Sequence, residues 1–322
     1  MKNKLEHKQY VLAFLTLSLS IAALTLMAGL VLHKDGSLAA APVTGRVSFD
    51  EKLRYFHNDI LPETIEIIAV GSSMTLNNLS SEVMINATGM SYRNFSSWGL
   101  SAQQFSYLIK TLVDRYNPKV IINVTGAMDF YKANRKYNFF DAEEVVNYLD
   151  GNDEFYLYMK YFDPFYLIKS SAHIKERRTN NESYESVKFD RWGGVALNID
   201  KVDIDKIRWE SKIIPSRIDA IEYEALESLA VYLKDKNTQL IMVQSPVRKA
   251  AISDNADLIT QHWSILKDIS QKNAFLFVNL YEQVEITDNY FVDSTHLNSQ
   301  GAILFTKKFV SLLPPKYKIH HQ

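Results

Sequence analysis

The sequence contains no cysteine. That absence excludes a disulfide scaffold, a Cys-ligated zinc or iron–sulfur centre and a thiol nucleophile, while leaving the redox compartment open. An excess of one charge is missing too. Over 322 residues, 36 Lys and Arg face 37 Asp and Glu, a formal net charge of -1. So balanced a chain carries no global electrostatic footprint for DNA or RNA, and no nucleic-acid partner is expected. Glycine is scarce at 11 residues, and neither a GxGxxG fingerprint nor a phosphate-cradling P-loop occurs. No cofactor is therefore expected, and no metal site is expected either. Repeats and low-complexity tracts are absent, and a hydrophobic share of 47% is that of a globular chain rather than a disordered one.

What the chain does have begins near its start. Val11 to Leu32 is a run of 22 residues without charge, its only polar members Ser and Thr. About 20 residues of helix cross a hydrocarbon core of roughly 30 Å, and hydroxyls that return to the helix backbone do not disqualify such a run. Lys2, Lys4 and Lys8 precede it against the single acid Glu6. The positive-inside rule then keeps residues 1–10 cytoplasmic and puts the remainder across the membrane. A cleaved signal peptide competes, because Ala39-Ala40-Ala41 offers an A-x-A-like site. The run exceeds the roughly 7–15 residues of a signal h-region, which favours an uncleaved anchor over 11–32. A buried core helix is the third reading, and the lack of any polar face weighs against it. Residues 33–45, with small residues, Gly and Pro, read as a linker, and 46–322 as one extracytoplasmic domain.

Within that domain strands and helices alternate. Ile65–Val70, Asn94–Phe95, Val120–Val124, Leu240–Val243 and Phe275–Asn279 read as short strands, mostly β-branched and apolar. Ala102–Tyr116, about Ile218–Leu233, about Leu258–Ile269 and Gly301–Leu313 have helical spacing. The alternation predicts a parallel sheet with helices on both faces, with ligands beyond the carboxyl ends of the strands. Residues 140–215 break the pattern and read as an insertion over the sheet. Its aromatics, dense in Phe155–Phe165, either fill a satellite core, line a sugar groove, or face the membrane or a partner.

Two segments carry chemistry. Gly71-Ser72-Ser73-Met74-Thr75 comes directly off the first strand, where a tight turn into a helix exposes a serine at the sheet top. Alone, it is also ordinary N-cap chemistry. Asp293-Ser-Thr-His296-Leu-Asn-Ser-Gln-Gly301-Ala leads into the last helix. An Asp three residues before a His can fix the imidazole tautomer and leave the other ring nitrogen to a nucleophile. The remaining histidines, the tail pair His320-His321 included, lack such a context. Five Asn-x-Ser/Thr sequons, at Asn78, Asn86, Asn94, Asn123 and Asn181, read as coincidence.

Together the two segments resemble the SGNH (GDSL-type) hydrolase superfamily, over about residues 60–313 without the insertion. The resemblance implies a flavodoxin-like three-layer sandwich, with Ser73 as nucleophile, His296 as general base and Asp293 orienting it. It also implies an oxyanion hole built from the N–H groups of Ser73 and Gly99, the latter in Asn94-Phe-Ser-Ser-Trp-Gly99, with a simple turn glycine as the other reading of Gly99 and another residue as the alternative donor. The family's Gly-x-Asn-Asp block corresponds to Gly126-Ala-Met128-Asp129. Met128 therefore stands where an Asn would donate, and a thioether cannot; Asp129 is a further candidate site residue. Ser72 replaces the Asp of a GDS motif. The GSS version behind a membrane anchor looks like the extracytoplasmic branch, which includes the D-alanyl-transfer protein of teichoic acid synthesis and accessory O-acyltransferases of exported polysaccharides. The resemblance thus implies a membrane-anchored serine acyltransferase that O-acylates (acetyl or D-alanyl type) a cell-envelope polysaccharide or teichoic-type polymer. A multi-spanning membrane-bound O-acyltransferase is the implied partner. A carbohydrate or lipid esterase with the same triad, and a non-catalytic envelope scaffold, stay open beside it.

Overall fold

The computed structural model describes residues 2–59, 61–132, 139–151, 153–281 and 286–319; His320 and His321 lie outside the described residues. The N-terminal run forms one helix, α1 (Lys2–Lys34). It is long and apolar enough to cross a membrane, and none of its apolar window is buried in protein, which removes the core-helix reading. Thr16 and Thr25 return their hydroxyls to the carbonyls of Leu12 and Ile21 at 2.8 and 2.9 Å.

Residues 33–45 differ from the linker expectation. α1 runs on to Lys34, and Ala39, Ala40, Ala41 and Val43 are buried. The Ala40 N–H donates to Glu51 Oε1 at 2.7 Å, and Arg178 donates to the carbonyls of Gly36 and Leu38. Small side chains, which composition assigns to a flexible linker, here let the backbone lie close against α2 (Val47–Asn58). The alanines of the A-x-A-like site are therefore inside the fold.

From α2 the chain enters β1 (Ile67–Ala69), then α3 (Ser73–Asn78) and α4 (Ser81–Thr88), β2 (Tyr92–Asn94), α5 (Ala102–Tyr116) and β3 (Val120–Thr125). The insertion supplies α6 (Ala142–Leu149), α7 (Glu154–Lys160), α8 (Pro164–Ser171), α9 (Ile174–Thr179) and the single turn α10 (Lys206–Trp209). The alternation resumes with α11 (Ala220–Asp235), β4 (Gln239–Gln244), α12 (Lys249–Ile252), α13 (Ala256–Asn273), β5 (Leu276–Asn279) and α14 (Ser299–Leu312).

All five strands are parallel, in the order β2-β1-β3-β4-β5, the flavodoxin-like order with its switch point between β1 and β3. Side chains alternate across the sheet as the strand period requires. Ile68, Ile121, Leu240 and Met242 join the core with α5, α11 and α13. Ile67, Ala69, Ile122, Val124, Ile241 and Val243 join the opposite core with Phe305 and Phe309 of α14. The expected three-layer α/β architecture is the one observed.

Candidate active site

The turn after β1 is shaped by close approach. A Cβ on Gly71 would lie 2.1 Å from Thr75 Oγ1 and 2.7 Å from Asn123 Nδ2, so only glycine fits without moving buried groups. Thr75 uses that proximity to join α3 to β3: its hydroxyl donates to the Val124 carbonyl at 2.8 Å and accepts the Val124 N–H at 2.9 Å. Ser72, in extended conformation, caps α3 by accepting the Met74 N–H. That leaves Ser73 as the first helical residue, its N–H without an intrahelical acceptor.

The other segment closes on it across the sheet top. Asp293 Oδ1 accepts the backbone N–H groups of Thr295 and His296 at 2.7 and 2.6 Å. Its Oδ2 faces His296 Nδ1 at 2.7 Å, and His296 Nε2 lies 2.8 Å from Ser73 Oγ. An ionised carboxylate only accepts, so Nδ1 carries the hydrogen and Nε2 accepts from the Ser73 hydroxyl. Burial would raise the pKa of Asp293, but the charge and hydrogen bond of His296 and the two backbone N–H groups outweigh it and hold it below the usual carboxylate value.

Residues that the sequence did not single out fix the distance between the two segments. Asn78, met there only as a sequon, is fully buried at the end of α3. Its amide donates to Ser245 Oγ at 2.9 Å and the Thr295 carbonyl at 3.0 Å, and its oxygen accepts the Leu297 N–H at 2.8 Å. It therefore grips the backbone on both sides of His296 from the helix that carries Ser73. The end of the insertion adds a strap. Val195 donates to the Leu76 carbonyl, the Leu197 carbonyl accepts from Ser299, and Val195, Leu197 and Ile199 pack with Leu76 and Val292. In this stretch the insertion buttresses the site.

Ser73, Gly99, Met128 and Asp129 line one cavity of about 300 Å³, with Arg46, Gln104 and Lys132. Gly99 has φ +60, a left-handed conformation that favours glycine. Arg46, at the start of α2, holds this turn: Nη1 donates to the carbonyls of Trp98 and Gly99 at 3.2 and 3.0 Å, and Nη2 to Gln104 Oε1 at 2.6 Å. Met128 lines the cavity, and its thioether offers no donor. Asp129 is buried, its Oδ2 accepting from Thr125 Oγ1 and the Gly126 N–H. Burial raises its pKa to about 6, against hydrogen bonds from Ser72, Gly126 and Thr125 and the charge of His296. Among the described residues, no group of three or more His, Asp or Glu is placed to hold a metal ion.

No family model and no curated protein matches the chain. Among solved structures it is similar to a GDSL-like lipase from Bacteroides thetaiotaomicron, at 12% identity over 82% of this chain and 100% of that one, with a TM-score of 0.38. It is similar to a member of the lipolytic G-D-S-L family from Veillonella parvula, at 14% identity, 77% and 97% coverage and a TM-score of 0.40. A catalytic mutant of an acetylxylan esterase from Geobacillus stearothermophilus aligns at 10% identity, 81% and 100% coverage and a TM-score of 0.41.

Proposed function

We propose that this protein is a serine acyltransferase, anchored in the membrane by α1 with its N-terminus cytoplasmic, that O-acylates an exported envelope polysaccharide or teichoic-type polymer. The observation that supports catalysis is the unbroken chain from Ser73 Oγ through His296 to Asp293, at 2.8 and 2.7 Å. In the first half-reaction Ser73 attacks the donor carbonyl while its proton passes to His296 Nε2. The new imidazolium, steadied by Asp293, then protonates the leaving group. In the second, Nε2 takes the proton of an acceptor hydroxyl, whose oxygen attacks the acyl-serine, and Nε2 then gives that proton to the departing Ser73 oxygen. The N–H groups of Ser73 and Gly99 would receive the oxyanion in both. A membrane anchor favours transfer, since it keeps the site beside an acyl supply in the membrane, for which a multi-spanning O-acyltransferase is the proposed partner. The burial of Ala39–Ala41 supports an anchor that is not cleaved.

The test is labelling of the full-length protein in detergent with a serine-reactive fluorophosphonate. Wild type is expected to label and Ser73→Ala is not; equal labelling of the two leaves the non-catalytic scaffold reading. Incubation with an acyl donor, with and without a polysaccharide acceptor, then separates transfer from hydrolysis. Acyl release to water that no acceptor suppresses would assign the chain as an esterase.

Arg46 enters this reading as a positioning residue for Gly99. Outright loss of one oxyanion donor typically costs about 10²–10³ in rate. Arg46→Ala leaves the glycine in place and frees only its support, so a fall of about tenfold in kcat is expected on an activated ester, with partial recovery in Arg46→Lys. An unchanged kcat in Arg46→Ala would remove Arg46 from the mechanism.

A further inference from the structure

Helices α7 and α8 are two-faced. Leu157 and Leu167 point into the body and are buried, whereas Phe155, Tyr156, Met159, Phe162, Phe165 and Ile168 are exposed, Phe165 at 84% and Ile168 at 75%. Six large apolar side chains are thus exposed between residues 155 and 168, Phe162 on the turn that joins the two helices, and exposed apolar surface of this kind marks interaction sites.

The position of this surface relative to α1 says what meets it. His33, in the last turn of α1, has Nε2 2.9 Å from Glu154 Oε2, and its ring packs edge-on against Tyr158 at 5.8 Å between centroids. Glu154 also pairs with Arg54, and the Tyr158 hydroxyl donates to the Ala39 carbonyl. Asp35 is held by Lys175, and the carbonyls of Gly36 and Leu38 by Arg178. The exit of α1 is thereby bolted to α7 and α9 rather than swivelling on a free linker.

Glu154 opens α7, so α7 begins one hydrogen bond away from the residue that follows the uncharged run. A helix rises about 1.5 Å per residue, so α7 reaches about 10 Å from that point in any direction. The polar layer on each side of a bilayer is about 5–8 Å deep. The start of α7 is therefore tied to the level at which α1 leaves its uncharged run, and Phe and Tyr beside apolar side chains are the composition of an in-plane segment.

We infer that the outward face of α7 and α8 is seated in the interfacial layer of the bilayer that α1 enters, so that the body is held on the membrane at two places. This rests on α1 being a membrane span. A body attached at two places has a fixed tilt, and its cavity a fixed height above the membrane.

The absence of native cysteine makes the test direct. Single cysteines at Leu19, Phe162, Phe165 and Leu258 of the full chain carry an environment-sensitive fluorophore, in vesicles of phosphatidylcholine with or without bromine on the acyl chains. Labels at Leu19, Phe162 and Phe165 are expected to be quenched by the brominated lipid at least twofold more than the label at Leu258 on α13. Quenching at Leu19 with none at Phe162 and Phe165 would overturn the inference while leaving the anchor standing. No quenching at Leu19 would end the anchor reading, and the inference with it. A label at Phe165 that stays unquenched in vesicles but cross-links to another membrane protein in native membranes would assign the face to a protein partner and likewise overturn it.

Discussion

Asp293→Asn is expected to lower kcat by about 10⁴ at neutral pH without unfolding the protein. The geometry decides which way the new amide must face. Oδ1 of Asp293 accepts two backbone N–H groups, from Thr295 and His296, at 2.7 and 2.6 Å. An amide NH₂ cannot accept either of them, so the amide oxygen of the variant takes that side and its nitrogen turns toward His296. That N–H then donates to Nδ1, which must give up its hydrogen, and the hydrogen moves to Nε2, 2.8 Å from Ser73 Oγ. In that tautomer Nε2 no longer accepts the serine proton. Asp293→Ala makes the complementary case. It springs no such trap, but it leaves both backbone N–H groups without an acceptor, at about 1–3 kcal/mol for each one that stays buried. The asparagine variant gives up the stability of an ionised carboxylate held below its ordinary pKa but keeps both backbone bonds, so it should lose turnover with a smaller fall in melting temperature than the alanine variant. Turnover of an acyl ester and thermal unfolding, measured on both, check this. A loss of tenfold or less in Asp293→Asn would mean that Asp293 does not set the tautomer.

How far the sequence anticipated this arrangement depends on how local each signal is. α5 spans Ala102–Tyr116 as expected, because its apolar spacing is reinforced by the Gln104 side chain accepting the Ser101 N–H at its start and a left-handed Asn117 at its end. β2 is found at Tyr92–Asn94 rather than Asn94–Phe95. Arg93 and Asn94 hide it, and its bounds come from pairing with β1. α2 was invisible for a sharper reason. Asp50, Glu51 and Lys52 are consecutive, charged and buried, so they read as a solvated face. In the fold each reaches a distant group: Asp50 takes Thr44 and Tyr166, Glu51 takes Ala40 and Arg178, and Lys52 donates to the carbonyls of Asn94 and Gly193. The same distinction runs through the site. Asp293 and His296 are three residues apart and legible as a motif, whereas Asn78 meets Leu297 across 219 residues and Arg46 meets Gly99 across 53. Such contacts exist only once the sheet has assembled.

Asp129→Asn is expected to stabilise the protein at neutral pH while slowing it. Burial lifts Asp129 from 3.8 to about 6 in the fold, and the unfolded chain keeps the ordinary value. Between those two pH values the folded protein binds more protons than the unfolded one, so stability falls as pH rises. The loss begins near pH 4 and is complete above about 6. At about 1.4 kcal/mol per unit, it amounts to roughly 3 kcal/mol at pH 7–8. Asparagine has no proton to lose. Its oxygen can still accept from Thr125 Oγ1 and the Gly126 N–H, as Oδ2 does now. The variant should thus match the wild type near pH 4 and exceed it by up to about 3 kcal/mol at pH 8, several degrees in melting temperature. The ionised form has a counterweight, because its charge and that of His296 favour each other, and a charged imidazole is what proton transfer from a serine hydroxyl creates. Removing that charge should reduce kcat by about three- to tenfold, the exchange of stability for activity common at catalytic sites. Thermal unfolding of both proteins from pH 4 to pH 8, read as the difference between them, cancels the titrating groups that do not interact with Asp129. A difference that does not grow with pH would show that Asp129 is not ionised against its burial, and an unchanged kcat would separate it from His296.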